Sequence, residues 1–141
     1  PLRVVLSRSL DLPDQAQLWN IAVAPTLVVH GPEVAGQQAP IGPERLELDQ
    51  CEPLPLMQHL AQRGCNRVLW ECGPDLAAAA IRQGCVQEVA AVVAPKLMGG
   101  LAARTPLGEL GFTAMEQVLS GTLQNPRPIG DDWLLSLRLE G

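Results

Sequence analysis

The residues best placed to do chemistry in this sequence form one short turn, Glu71 to Asp75 (ECGPD). The Ala-rich run from Leu76 to Gln83 follows the turn, and alanine favours the α-helix more than any other residue. Pro74 suits the first helical position, where its missing N–H costs nothing, and Gly73 gives the backbone freedom for a tight turn. Backbone N–H groups at such a helix start lack partners inside the helix. The turn can therefore bind an anion such as a phosphate.

A plain connection between a strand and a helix is the alternative explanation of this turn, because most helix N-termini hold no ligand. Other chemical motifs are missing from the sequence, which has no Walker loop and no full G-x-G-x-x-G. Neither His30 nor His59 has a recognisable partner for nucleophilic catalysis. A nucleotide-binding turn without acid–base machinery is typical of hydride-transfer enzymes, where the cofactor carries the chemistry.

The cysteine and histidine spacing does not favour a metal site. Four cysteines and two histidines are present, and no pair of cysteines has the C-x-x-C spacing. The sequence therefore predicts reduced, mostly buried thiols. Cys72 is the exception, because it lies in the turn that should face a ligand.

Composition and charge narrow the classes of protein and partner. A chain of 141 residues is long enough for one domain with a sizeable core. The net charge of −5 and the lack of a basic stripe argue against nucleic acid as a partner. No apolar run is long enough to span a membrane, and the opening PLRVV lacks the features of a signal peptide. We therefore expect a cytoplasmic protein.

The turn is positioned by a strand–helix–strand unit. The apolar stretch Val68–Glu71 predicts a buried strand, and the helix after the turn ends at Gly84. Val86–Ala94 is rich in β-branched residues and predicts a second buried strand. A single crossover helix implies that the two strands are parallel and joined in the right-handed sense.

The other elements are predicted from apolar patterning and from Gly and Pro signals. A helix should start at Pro53 or Pro55 and end at Gly64. The turn region Asn125–Pro128 should join two antiparallel strands at the C-terminal end. The remaining predicted strands are Leu2–Leu6, Thr26–His30, Arg45–Leu48, Met115–Thr122 and Trp133–Leu139.

The string WECGPDLAAAAIRQGCVQEV and the later VAPKLMGG resemble the reductase domain of riboflavin biosynthesis. That domain is usually the C-terminal half of a bifunctional deaminase–reductase. Its Glu-x-Gly turn, its entry into the next strand and its Ala-Pro-Lys exit correspond to Glu71–Gly73, Val86–Glu88 and Ala94–Gly99. The opening PLRVVLSRSLDLP and the ending GDDWLLSLRL match the family pattern too, so the resemblance covers the whole chain.

The resemblance implies an α/β, dihydrofolate-reductase-like fold. Its three α/β/α layers would hold a mostly parallel sheet with a C-terminal antiparallel strand pair. It also implies NADPH-dependent reduction of the ribosyl side chain of 5-amino-6-(5-phosphoribosylamino)uracil. Glu71 would lie where substrate and cofactor meet. The residues implied to bind the cofactor are Gly73, Pro74, Asp75 and Leu76 at its pyrophosphate, with Ser7 and Ser9 near its ribose and phosphate.

Departures from the family pattern qualify these expectations. Cys72 replaces a small Gly or Ala, and Gln87 stands where an acid is usual. Family members also carry a segment before PLRVV that supplies a central strand. Residues 1–141 are therefore expected to form a single reductase-like domain, truncated at its N-terminus and inactive alone. We expect Val68–Glu71 to close directly onto Val86–Ala94, with a strand from another chain as the rival solution.

The expected strand order places the N-terminal strands on one side of this junction and the C-terminal strands on the other. That order is Arg45–Leu48, Thr26–His30, Leu2–Leu6, Val68–Glu71, Val86–Ala94, Trp133–Leu139 and Met115–Thr122. Expected partners are the phosphorylated aminopyrimidine, a second copy in a homodimer, and a fused or separate deaminase domain. The alternative is a non-catalytic dimerisation or scaffold domain that keeps the reductase fold.

Overall fold

The computed structural model describes residues 1–37, 42–100 and 105–140. The chain divides into two compact units, unit 1 (Pro1–Arg67) and unit 2 (Val68–Gly141). Each unit has its own three-stranded sheet, parallel in unit 1 and antiparallel in unit 2. Within the described residues, no helix has the length and apolar character needed to cross a membrane.

Unit 1 packs one helix with a parallel sheet of order β1-β2-β3. Its elements are β1 (Arg3–Leu6), β2 (Thr26–His30), β3 (Glu44–Glu47) and α1 (Pro53–Gln62), with single 3-10 turns at Gln17–Trp19 and Pro32–Val34. The central strand β2 is buried along its whole length, as expected for an apolar strand with neighbours on both edges. The core residues of unit 1 include Leu27, Val28 and Val29 of β2 and Leu56 and Leu60 of α1.

Two arginines hold the amino ends of the parallel strands. Arg3 donates hydrogen bonds to Thr26 Oγ1 and to the carbonyls of Gln17, Asn20 and Ala24. These bonds tie the long connection between β1 and β2 to the sheet. Arg63, just after α1, makes a two-point contact with the Glu44 carboxylate at 2.8 and 3.0 Å.

Unit 2 contains one helix and an antiparallel sheet of order β4-β6-β5. Its elements are α2 (Pro74–Arg82), β4 (Glu88–Val93), β5 (Gly121–Ile129) and β6 (Asp132–Leu139), with a 3-10 turn at Met115–Gln117. The helix forms because its run of alanines starts after Gly73-Pro74 and ends before Gly84, whose φ is +67°. Much of the sheet is exposed in the single chain, including Val92, Leu123 and Trp133.

The predicted strand at Val68–Glu71 is wrong, because these residues form no ladder with any described strand. Leu69 is 77% exposed, and Trp70 instead donates its ring N–H to the Cys85 carbonyl at 3.3 Å. An apolar run raises β propensity, but a strand exists only where a neighbour completes its hydrogen bonds. The predicted closure of this segment onto Val86–Ala94 is therefore also wrong. β4 lies in that range and pairs with β6, in the antiparallel sense.

The predicted boundaries near the C-terminus also need correction. The expected strand Met115–Thr122 begins as a 3-10 turn, and β5 starts only at Gly121. The expected turn at Asn125–Pro128 lies inside β5, where the register against β6 shifts between Gln124 and Arg127. Its two prolines are tolerated because β5 is an edge strand and the shift is a bulge.

The remaining predictions of elements are confirmed to within two residues at most boundaries. They include β1, β2, β3, β6 and both helices. The order within each group of three strands is also as predicted, although two sheets replace the single expected one. An α/β fold with a parallel sheet and an antiparallel C-terminal strand pair is confirmed.

Candidate functional site

The predicted anion-binding turn lies at the start of α2 as expected. Gly73 is the N-cap with φ −70° and ψ 170°, and the helix begins at Pro74. No side chain caps the first turn. The N–H groups of Asp75 and Leu76 have no intrahelical partner, while Pro74 has no N–H to offer. The backbone donors available to a ligand are therefore those of Asp75 and Leu76.

Neither the backbone conformation nor packing within the described chain requires glycine at position 73. Its φ of −70° is open to any residue, so the expectation that a tight turn needs its conformational freedom is wrong. A Cβ at this position would meet no heavy atom within 4 Å. A ligand can therefore approach the backbone closely at Gly73.

The segment before β5 crosses the start of α2, a contact that sequence reasoning missed. The Gly108 N–H donates to the Pro74 carbonyl at 3.0 Å, and Arg82 donates to the Glu109 carbonyl at 2.6 Å. A Cβ on Gly108 would lie 3.0 Å from Asp75 Oδ1. The glycine in a loose, Pro-containing stretch was the only local signal of this close contact.

Burial raises the pKa of the Cys72 thiol above its ordinary value. The thiol is therefore neutral at physiological pH. Since it immediately precedes Gly73, its side chain adds no negative charge to a turn suited to anions. Glu71, the preceding residue, is exposed, and its carboxylate contacts no other described side chain or backbone group by hydrogen bond or ion pair.

The serines expected to bind the cofactor lie at the carboxyl end of β1, in unit 1. The Ser7 N–H donates to the Val29 carbonyl at 2.9 Å, which continues the parallel ladder. Ser9 Oγ accepts the Asp11 N–H at 3.3 Å in a local turn. Arg8, between them, contacts Glu52 Oε1 at 3.1 Å. The carboxyl ends of parallel strands are where ligands gather in α/β sheets.

The Cys51 thiol lies near the carboxyl end of the parallel sheet, and the groups that act on it are its neighbours there. Its thiol lies 3.7 Å from the Val29 carbonyl. Burial raises its pKa, the positive charge of Arg8 lowers it, and the negative charge of Glu33 raises it. We refer to the residues that act on one another here as the carboxyl-edge cluster: Ser7, Arg8, Glu33, Cys51 and Glu52.

The structure thus groups the predicted cofactor-binding residues into two sets. Gly73, Pro74, Asp75 and Leu76 are contiguous at the start of α2, in unit 2. Ser7 and Ser9 follow β1, in unit 1. All residues of each set therefore belong to one unit.

The histidines are not arranged for general base catalysis. His30 is buried, and its Nδ1 lies 2.8 Å from the carbonyl of the adjacent Gly31. His59 lies within α1. Across residues 1–37, 42–100 and 105–140, no group of three or more His, Cys, Asp or Glu side chains could hold a metal ion.

Comparison with known proteins decides the family. A family model described as the RibD C-terminal domain matches residues 1–135. The chain belongs to this family. The riboflavin biosynthesis protein RibD of Synechocystis sp. is 51% identical to it over 140 residues, which are 96% of this chain and 38% of that protein.

Solved structures of related proteins share the fold of this RibD C-terminal domain. Acinetobacter baumannii RibD has a TM-score of 0.78 at 31% identity, covering 99% of this chain and 38% of that one. A Thermotoga maritima protein has a TM-score of 0.77 at 18% identity, with the same two coverages. It is described as a diaminohydroxyphosphoribosylaminopyrimidine deaminase and 5-amino-6-(5-phosphoribosylamino)uracil reductase. The predicted dihydrofolate-reductase-like fold is confirmed.

Proposed function

We propose that this RibD C-terminal domain is the NADPH-binding part of a reductase in riboflavin biosynthesis. Its substrate would be 5-amino-6-(5-phosphoribosylamino)uracil, the compound named for the Thermotoga maritima protein of the same fold. The open turn at Gly73 carries the proposal. A ligand can approach its backbone closely, and the helix start beside it offers N–H donors without an intrahelical partner. The chain spans 38% of the relatives described above, so activity of a whole protein is part of the proposal.

The residues of the turn fit the pyrophosphate of a dinucleotide. Asp75 and Leu76 would bind it through their backbone N–H groups, and Pro74 fixes the helix start that aims them. Cys72 stays neutral and so does not repel it. When bound, NADPH supplies the hydride, and the protein supplies orientation.

Glu71 is proposed to bind the substrate beside this turn. Its exposed carboxylate can accept hydrogen bonds from hydroxyl or N–H groups of a ribosylaminopyrimidine. Ser7 and Ser9 are proposed to line the adenosine end of the cofactor site, at the carboxyl end of the parallel sheet.

The assembly is also a proposal. We propose that residues 1–141 belong to a single reductase-like domain, that it forms a homodimer, and that a deaminase domain accompanies it, in the cytoplasm. Exposed apolar residues of the unit 2 sheet, among them Val92, Leu123 and Trp133, support self-association. A non-catalytic scaffold of the same fold would use the same surface but would not bind NADPH.

Calorimetry with NADPH on the Gly73→Val variant tests the proposed site. A Cβ at this position meets no heavy atom of the chain within 4 Å, and the valine side chain would occupy the space of a close-approaching pyrophosphate. We expect NADPH affinity to fall by about tenfold or more, roughly 1.4 kcal/mol. Because valine is a poorer N-cap than glycine, the free energy of unfolding should fall by about 1 kcal/mol, and the domain should stay folded.

Gly99→Val is the matched control, because a Cβ at Gly99 also meets no heavy atom within 4 Å. It adds the same side chain to unit 2 at a position remote in sequence from the turn and should leave NADPH affinity unchanged. Equal affinity of wild type and Gly73→Val would refute the assignment of the turn. No NADPH binding by the wild type would favour the scaffold.

A further inference from the structure

A cavity lies at the amino ends of the parallel strands of unit 1. Leu2 directly precedes β1, Pro25 directly precedes β2, and Glu44 begins β3. The cavity has a volume of about 270 Å³ and is lined by Leu2, Ile21, Pro25, Thr26, Glu44 and Arg63. We refer to it as the amino-end cavity.

The size and charge of the amino-end cavity favour contact with a polypeptide over a small charged ligand. Small-molecule pockets usually enclose roughly 300–1,000 Å³, and ligands of α/β sheets gather at the carboxyl ends of the strands. Arg63 and Glu44 already neutralise each other through a two-point contact at 2.8 and 3.0 Å. Protein–protein contacts combine an apolar core with polar groups around it. The lining residues offer both.

The connection that carries Ile21 is fixed before anything binds. Arg3 donates hydrogen bonds to the carbonyls of Asn20 and Ala24, on either side of Ile21. A Cβ on Gly42 would lie 3.7 Å from Ile21 Cγ2, so this side chain lies against the Gly42 backbone. Ile21 nevertheless stays 46% exposed. A partner that contacts such a preformed apolar surface loses little free energy to ordering it.

The polypeptide that precedes residue 1 in RibD-type proteins is the occupant that fits this cavity. The family model that matches residues 1–135 describes a C-terminal domain, and the 140 matched residues are 38% of Synechocystis RibD. A C-terminal domain follows the rest of its protein. Because Leu2 lines the cavity, a polypeptide that continues into residue 1 reaches this domain beside the cavity.

We propose that the amino-end cavity is the docking site for the segment directly before residue 1 in a RibD-length form of this polypeptide. The segment would place an apolar side chain against Leu2, Ile21 and Pro25. This proposal rests on the part of the proposed function that joins a further domain to this one. A covalently joined segment is present at an effective concentration on the order of millimolar, so a small apolar contact is enough to hold it.

Limited proteolysis of the RibD-length form tests this docking. A protease cuts a segment while it is away from its site, so the cleavage rate just before residue 1 reports undocking. Ile21→Asp places a charge in the apolar lining, and we expect cleavage to become about fivefold faster or more. Ile21→Ala removes apolar contact without adding a charge and should give a smaller increase.

Thermal unfolding of the 141-residue chain checks that these variants stay folded. Because Ile21 is partly exposed there, we expect unfolding midpoints within about 4 °C of the wild type. An effect on cleavage in the RibD-length form then reports the contact with the preceding segment.

Val23→Asp is the matched control. Val23 lies in the same connection, is 72% exposed and is not among the described residues that line the cavity. Its substitution should change the cleavage rate by less than about twofold. Equal cleavage rates for Ile21→Asp and Val23→Asp would overturn the inference. Self-association of the 141-residue chain that only Ile21→Asp abolishes would identify a second copy as the occupant and would overturn it too.

NADPH binding separates this inference from the proposed cofactor site. In the 141-residue chain, Ile21→Asp and Val23→Asp should bind NADPH as the wild type does. A negative result in proteolysis leaves the site at the Gly73 turn in place. Failure of the wild type to bind NADPH removes that site and leaves the docking result as measured.

Discussion

At the scale of single residues, Cys72 gives a test of how charge is controlled at the proposed pyrophosphate site. Burial raises its pKa above the ordinary value of 9.0, so the proton stays on the thiol at neutral pH. As pH rises through this raised pKa, the thiolate forms and repels the pyrophosphate. We expect NADPH affinity to fall in that alkaline range in the wild type.

Two substitutions separate charge from size at Cys72. Cys72→Ala should bind NADPH as the wild type does at pH 7 and should lose the alkaline fall. Cys72→Asp places a permanent negative charge there, and we expect affinity about tenfold lower or worse at pH 7. Equal NADPH affinities for the Ala and Asp variants in calorimetry would show that this side chain does not face the cofactor.

The sequence predicts some features of the candidate site and not others, and the difference depends on how far apart the contacting residues lie in the chain. The turn before α2 was predictable because its signals, Gly73, Pro74 and the alanine run, are adjacent in sequence. The Arg8–Glu52 contact joins residues 44 positions apart, and no local pattern encodes it. The need for glycine at position 108 is likewise not encoded locally, because it depends on contact with the Pro74 carbonyl, which is distant in sequence.

At the scale of elements, the segment around Gly108 is expected to fix the start of α2. A Cβ on Gly108 would lie 3.0 Å from both Asp75 Oδ1 and the Pro74 carbonyl oxygen, and the second of these is backbone that cannot rotate away. We expect Gly108→Ala to reduce the free energy of unfolding by about 1–3 kcal/mol, as overpacking does in close-packed sites.

Urea denaturation measures this change, and Gly36→Ala is the control, because a Cβ at Gly36 meets nothing within 4 Å. The control should shift the free energy of unfolding by less than about 0.5 kcal/mol. Gly108→Ala as stable as the control would mean that the segment moves aside without cost and does not hold the helix start.

The elements differ in how well the sequence predicted them, and the difference is physical. β2 and α2 carry their own signals, a continuous apolar run and a capped alanine-rich run. Val68–Glu71 has an equally apolar start, but β structure depends on a neighbouring strand that the sequence of the segment does not specify. In β5 the prolines predicted a turn, and only the edge position, a tertiary property, makes them compatible with a strand.

At the scale of the whole molecule, the outer strands β1 and β4 each have one edge that pairs with no other strand among the described residues. In unit 1, Arg3 and Ser7 direct their N–H groups to β2, so alternation directs those of Val4 and Leu6 away from the sheet. In unit 2, the Leu139 N–H bonds the Gln87 carbonyl. The same alternation leaves the backbone groups of Glu88, Ala90 and Val92 outside the β4–β6 ladder.

Unpaired edges of this kind invite a further strand. Since internal closure through Val68–Glu71 does not occur, we expect the strand to come from a longer polypeptide, as the length of the relatives permits, or from a second chain. We further expect residues 1–141 alone not to reduce the ribosylaminopyrimidine. Steady, substrate-dependent NADPH oxidation by the purified 141-residue chain would contradict that expectation.

Amide hydrogen exchange tests the edges directly. In the 141-residue chain, the outward amides of Val4, Leu6, Ala90 and Val92 should exchange rapidly, while the inward amide of Val5 exchanges slowly, because each closed ladder bond must open first. In a longer form of the polypeptide or in a dimer, the exchange rates of the outward amides should fall by about tenfold or more. The exchange rate of the inward Val5 amide should not change. Outward amides that are already as protected as Val5 in the isolated monomer would show that these edges are covered within residues 1–141. The catalytic pocket would then need no further strand.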